Sequence, residues 1–130
     1  MITKFFVPVK PVPASRPRIS KYGSYYTKTY KDFRAEAYRF LKTIKDKYPP
    51  CPDSTFSVEI EFICYKPQRP SNSYPRGDVD NYLKGIIDSM VYCNMFFEDD
   101  IQITKMVGIK RYQMKDEPYG MNIKVRKYKR

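Results

Sequence analysis

Histidine is absent from the 130 residues. Its absence removes Ser-His-Asp and Cys-His nucleophilic catalysis and every His-ligated metal site. Any catalysis must therefore rest on carboxylates, lysine, tyrosine or a hard metal ion. Cysteine is scarce: Cys51, Cys64 and Cys93 are an odd number with no CxxC spacing. That argues against a disulfide framework and against a zinc cage, and leaves the three as small hydrophobes. No run approaches the roughly 20 consecutive apolar residues of a membrane span. The opening MITKFFVPVK lacks the charged-then-apolar order of a signal peptide, so the expected compartment is the cytoplasm. Repeats, low-complexity tracts and Gly/Ser linkers are missing too, and residues 1–130 read as one domain with one core.

What is present points elsewhere. A hydrophobic fraction of 42%, with 8 Phe and 13 Tyr, argues against disorder. Against 14 acids stand 25 Lys and Arg, a net charge of +11. A surplus of that size on a small domain implies a polyanionic partner, nucleic acid first among them.

Hydropathy patterning supplies the elements. Phe5–Val9 reads as a strand at a sheet edge, cut by Pro8 and followed by Pro11 and Pro13. A basic, aromatic stretch from Ser15 to Lys28 follows, with Gly23 as a turn. From Tyr30 to Tyr48 the residues Tyr30, Phe33, Ala37, Phe40, Leu41, Ile44 and Tyr48 recur at three- and four-residue spacing. This predicts one apolar helix face, started by a capping box at Thr29–Asp32 and stopped by Pro49-Pro50. Val58, Ile60, Phe62 and Cys64 alternate as in a half-buried strand. A Pro-containing loop (Pro67, Pro70, Pro75, with Gly77) leads to a second helix over Asp80–Tyr92, buried through Leu83, Ile86, Ile87, Met90 and Val91. Two strands, Ile101–Tyr112 and about Met121–Arg126, complete the chain. Met95, Phe96 and Phe97, between helix and strand, are expected in the core. The order predicts an α+β domain, a small mixed or antiparallel sheet with two main helices on one face.

Charge is not evenly spread. Between Asp78 and Asp100 lie six acids and one base, Lys84, which leaves 24 bases and 8 acids elsewhere, a balance of +16. Carboxylates concentrated in this way repel phosphate, unless a divalent cation neutralises them and then attracts the phosphate itself. Asp78 and Asp80 lie two apart on an extended approach to the helix. Asp80, Lys84 and Asp88 follow at i, i+4 and i+8 in one stripe. Asp99 and Asp100 come just before a strand that can return beside the helix start. Mg²⁺ takes oxygen ligands and often only a few carboxylates, with water and substrate phosphate completing its shell. Three aspartates and a lysine thus suit metal-dependent phosphodiester hydrolysis: the metal activates a water and polarises the phosphate, and the lysine stabilises developing charge. The competing reading makes Asp78 or Asp80 a helix cap, pairs Lys84 with Asp88, and puts Asp99-Asp100 in a turn.

RGDVDNYLKGIIDSM (Arg76–Met90), followed by DDIQI (Asp99–Ile103), resembles the signature of RusA-type Holliday junction resolvases, D-x-D-N-x-x-K-x-x-x-D and then D-D-x-Q-V. KPVPASRPRIS (Lys10–Ser20) and YYTKTY (Tyr25–Tyr30) are also similar to that family. The resemblance implies a Mg²⁺-dependent homodimeric endonuclease of the kind carried by phages and prophages, which nicks opposite strands of a four-way DNA junction. By position it makes Asp78, Asp80 and Lys84 catalytic, with a third aspartate from the DD pair. Aligning DDIQI selects Asp100, whereas counting on from Asp78 without a gap selects Asp99. It gives Asn81, and beside it Asp88, supporting positions. Paired nicks on a near two-fold junction call for two active sites, hence a C2 dimer.

DNA contact is expected from Arg16, Arg18, Lys21 and Lys28, interleaved with Tyr22, Tyr25 and Tyr26, and from Arg69 and Arg76 ahead of the acidic motif. The basic tail (Lys124, Arg126, Lys127, Lys129, Arg130) reads as a solvated strand edge. Two rival functions remain: a noncatalytic nucleic-acid-binding module, and a less selective metal-dependent nuclease of flaps or forks.

Overall fold

The computed structural model describes residues 2–15, 18–21 and 23–129, and of Arg18, Ser24 and Tyr25 the backbone alone. The elements run β1 (Ile2–Val7), β2 (Arg18–Ser20), β3 (Gly23–Tyr25), α1 (Lys28–Leu41), β4 (Phe56–Cys64), α2 (Val79–Tyr92), β5 (Ile103–Tyr112) and β6 (Gly120–Lys127). Four strands form a mixed sheet in the order β1-β6-β4-β5, and β2 and β3 make a separate hairpin. β6 lies antiparallel to both β1 and β4, while β4 and β5 are parallel. Parallel neighbours need a crossover connection, and α2 supplies it.

The core lies between one sheet face and the helices. Val58, Ile60 and Phe62 of β4, Met121 and Ile123 of β6, and Ile86 and Met90 of α2 are buried together. Full burial of each such side chain is worth about 1.5–3 kcal/mol. Met95, Phe96 and Phe97 are buried as expected, and so are Cys64 and Cys93. On the opposite sheet face Glu59 pairs with Lys124 and Glu61 with Arg111, which keeps that surface charged.

Several elements differ from the sequence reading: β1 covers Ile2–Val7 where Phe5–Val9 was expected, and β5 starts at Ile103, two residues late. α1 ends at Leu41, and the Thr43 hydroxyl then bonds back to the Phe40 carbonyl at 2.6 Å. Ile44 and Tyr48 keep helical spacing but leave the helix. Tyr48 instead exchanges backbone bonding with the loop after α2, accepting from the Phe96 amide at 3.0 Å, and its ring stacks on Phe96 at 4.9 Å. The cap of α1 is Thr27, which accepts from the Tyr30 amide at 3.4 Å, two residues before the expected box. β4 is not half-buried but central, with only Glu59 and Glu61 partly open among its nine residues. Its neighbours on both sides close it off.

Gly108 fixes how α2 sits on the sheet. A Cβ there would meet Leu83 at 2.7 Å and Val79 at 3.0 Å, so the first turn of α2 lies directly on β5.

Candidate active site

The turn ahead of α2 is held from several sides. Gly77 adopts φ +93°, and a Cβ there would come within 2.9 Å of Pro13. Lys110 of β5 donates to the carbonyls of Pro75 at 2.8 Å and Gly77 at 2.6 Å. Tyr82 donates its hydroxyl to the Arg76 carbonyl at 2.6 Å, and burial pushes that phenol far up from its ordinary value. The Ala14 amide donates to the Asn81 carbonyl at 2.9 Å, which ties the N-terminal segment to the same helix end. Three consecutive carbonyls are therefore clamped immediately before Asp78.

Asp78 occupies the N-cap of α2 in extended conformation, yet its carboxylate makes no capping bond. Among the described residues the Asp80 carboxylate accepts only from the Asn81 amide, at 3.0 Å. Both are exposed, and no described cation pairs with either. With Asn81 and Lys84 they line a cleft of about 520 Å³ whose far wall is Ala14, Ser15 and Tyr26. A groove of similar size, about 510 Å³, lies on the open sheet face, but its acids, Glu59 and Glu61, are already paired. Carboxylates that no described cation neutralises mark the helical side.

Further along α2 the acids behave differently. Lys84 pairs with Asp88 at 3.5 Å, with both side chains largely exposed. Such a pair is worth only a few tenths of a kcal/mol, so Lys84 is readily redirected to a phosphate. Asp99 caps the 3₁₀ turn Asp100–Gln102, accepting from the Ile101 amide at 3.0 Å. That bond, with a second from Asp100, holds its carboxyl below the usual range. Asp100 is held above it, chiefly by its hydrogen bond to Asp99 and then by burial and by repulsion from Asp99 and Asp88, with Lys84 opposing. Gln102 anchors this turn: its Nε2 donates to the Cys51 and Ser54 carbonyls at 2.8 Å each, and its Oε1 accepts from the Glu98 amide at 2.7 Å.

Asp88, Asp99 and Asp100 line a second cleft of about 370 Å³ with Tyr26, Tyr30, Arg34, Tyr38 and Tyr92. The acidic island thus divides between two adjoining clefts that share Tyr26. Among the described residues no three Asp, Glu or Cys side chains converge to hold one metal ion. Asp78, Asp80 and Lys84 come together, and Asp100 sits in the neighbouring cleft with Asp99. The caps and pairs of the noncatalytic reading are real for Asp88 and Asp99; Asp78 sits at the N-cap without a capping bond, and among the described residues no cation pairs with it or with Asp80. Two hard, uncompensated carboxylates fit a Mg²⁺-type ion, which commonly takes one or two carboxylates and fills its shell with water and substrate oxygens.

The expected DNA-contacting cations scatter. Arg16 and the Arg18 side chain lie outside the described residues. Lys21 is exposed at the β2–β3 turn, and Arg69 and Arg76 are exposed on the loop leading to Asp78. Lys28 is bound to Asp32 at 2.9 Å. Lys110 was not singled out by the sequence, because a lysine in an edge strand reads as solvated; the parallel pairing that aims it at residues 75–77 has no local signal.

A basic α+β domain with unpaired carboxylates over a cleft is suited to cutting nucleic acid, and comparison with known families places the chain among the endodeoxyribonucleases, enzymes that cut within DNA strands. The family model that matches is endodeoxyribonuclease RusA, over residues 8–126, and the chain belongs to that family, whose activity is Holliday junction cleavage. A search among curated proteins returns no match.

Proposed function

We propose that this domain is a Mg²⁺-dependent endonuclease that resolves four-way DNA junctions by paired nicking as a homodimer. The observation that carries this reading is the pair Asp78 and Asp80, which no described cation pairs with, beside Lys84 in a chain of net charge +11. Asp78 and Asp80 would hold the ion, with Asp100 reaching from the adjoining cleft as a further ligand and Asp99 occupied by its capping bond. Bound there, Mg²⁺ would lower the pKa of a water and polarise the scissile phosphate. Lys84, released from its weak pair with Asp88, offsets negative charge building on the phosphate or the leaving oxygen. Asn81 supports the site through its backbone, fixing the helix start against Ala14. Arg69 and Arg76 are exposed cations on the approach to Asp78, each worth about 0.9 in the slope of log affinity against log salt on duplex if it contacts a phosphate.

The test uses Asp80→Asn with a synthetic four-way junction, a fork and a linear duplex. The variant is expected to bind the junction as wild type does and to lose Mg²⁺-dependent cleavage. Retained cleavage removes Asp80 from the machinery, and equal cutting of fork and junction by the wild type marks a general branch nuclease.

A further inference from the structure

The second cleft contains a rigid aromatic assembly that cleavage chemistry does not use. Tyr92, the last residue of α2, is 62% exposed, yet its ring is stacked on Tyr38 of α1 at 4.4 Å and 22°. Tyr38 is itself fixed, since its hydroxyl accepts from Arg34 Nε at 2.9 Å and Nη2 at 2.8 Å. The Arg34 guanidinium lies 5.4 Å from the Tyr26 ring and 5.6 Å from that of Tyr38, so the clamp is braced on both sides. With one face on Tyr38 and more than half its surface in water, Tyr92 presents a flat, immobilised ring to solvent.

We propose that this cleft holds one unstacked nucleobase of the DNA strand, stacked on the open face of Tyr92. The inference rests on the reading of the chain as a nuclease of branched DNA, and extends it from the cut phosphate to a neighbouring base. Aromatic rings presented in this way take any base by its π face. Asp88 and Asp99 line the same cleft and repel a phosphate, whereas the ring N–H groups and exocyclic amines of bases donate to carboxylates. Because Tyr38 and Arg34 already hold Tyr92 in place, little ordering cost falls on binding. Tyr26, common to both clefts, makes them continuous, so a strand crossing Asp78 and Asp80 leads into the aromatic one. Bases inside a duplex keep their faces covered, and only unpaired or branch-point nucleotides can enter. The cleft therefore distinguishes distorted DNA from plain duplex.

Affinities measured in EDTA, where cleavage is off, test the proposal. The probes are a single-stranded oligonucleotide, a linear duplex of the same sequence and a four-way junction, against wild type, Tyr92→Phe and Tyr92→Ala. Tyr92→Ala is expected to weaken single-strand and junction binding roughly 5- to 100-fold and duplex binding by no more than about twofold, while Tyr92→Phe matches wild type. Tyr92 is exposed, and an unchanged thermal midpoint shows that the fold is intact. Unaltered single-strand affinity, or equal losses on single strand and duplex, overturns the proposal. If the wild type fails to cleave junctions, the resolvase reading falls, while the single-strand to duplex comparison still decides the cleft.

Discussion

Lys110 and Gly77 are joined across the sheet edge: the ammonium of Lys110 donates to the Gly77 carbonyl at 2.6 Å, one residue before the first carboxylate of the site. A second bond to Pro75 at 2.8 Å makes the lysine a clamp on the turn. Lys110 touches neither Asp78 nor Asp80, so it acts by position.

Lys110→Met removes a charged donor from two carbonyls and should cost about 1.5–3 kcal/mol of stability, read from urea unfolding. The same variant should lower kcat for junction cleavage with little change in KM, because DNA contacts are untouched while the carboxylates lose their fixed approach. Lys110→Arg should recover part of both. An unchanged unfolding midpoint would show that Tyr82 and Pro13 hold the turn unaided.

Metal binding is measurable without DNA. At Mg²⁺ ten times its dissociation constant, the wild type should gain about 1.4 kcal/mol of stability, seen as a higher thermal midpoint. Asp78→Asn should abolish most of that gain yet leave the metal-free midpoint nearly unchanged, since Asp78 makes no capping bond. An equal Mg²⁺ response in both proteins would move the ion elsewhere.

A cluster remote from the site should couple stability to acid pH. Arg111 donates to both Glu117 oxygens at 2.7 Å, and this bond, with one from the Met114 amide, pulls the carboxyl from 4.5 to about 2. Glu61 is lowered too, by Asn122 first and then Arg111. A depressed carboxyl binds fewer protons folded than unfolded, so its stabilisation is complete above about pH 4.5 and fades as pH falls towards 2. Glu117→Gln should flatten that stretch of the stability–pH curve; parallel curves for variant and wild type would show that the cluster does not control it.

Helix α2 was readable almost to the residue, because its apolar stripe and acidic stripe both keep a period near 3.6 and Asp78 begins it. β6 was equally plain in its alternation. The end of α1 was hidden: Ile44 and Tyr48 continue the spacing by coincidence, while long-range bonding to Phe96 dictates their conformation. Nor does local pattern reveal that β4 lies parallel to β5 and antiparallel to β6, since pairing across a crossover leaves no mark in neighbouring residues. Asp78, Asp80 and Lys84 were legible as a group because one helix start carries them. Asp100 comes in as their partner through the resemblance, by the alignment of DDIQI, and the turn that Gln102 anchors puts it in the adjoining cleft. Nothing local in the sequence brings Arg34, Tyr38 and Tyr92 together, for their meeting depends on how α1 lies against α2.

Because the first cleft opens on the leading turns of α2 and the second on its closing turns, a single rod of hydrogen-bonded backbone gauges the distance between them. Lys84 in the first cleft and Asp88 in the second stand four residues apart on that rod, a rise of about 6 Å. The helix thereby acts as a ruler for a bound strand, while α1 and the turn at Asp99 and Asp100 supply the opposite wall of the second cleft.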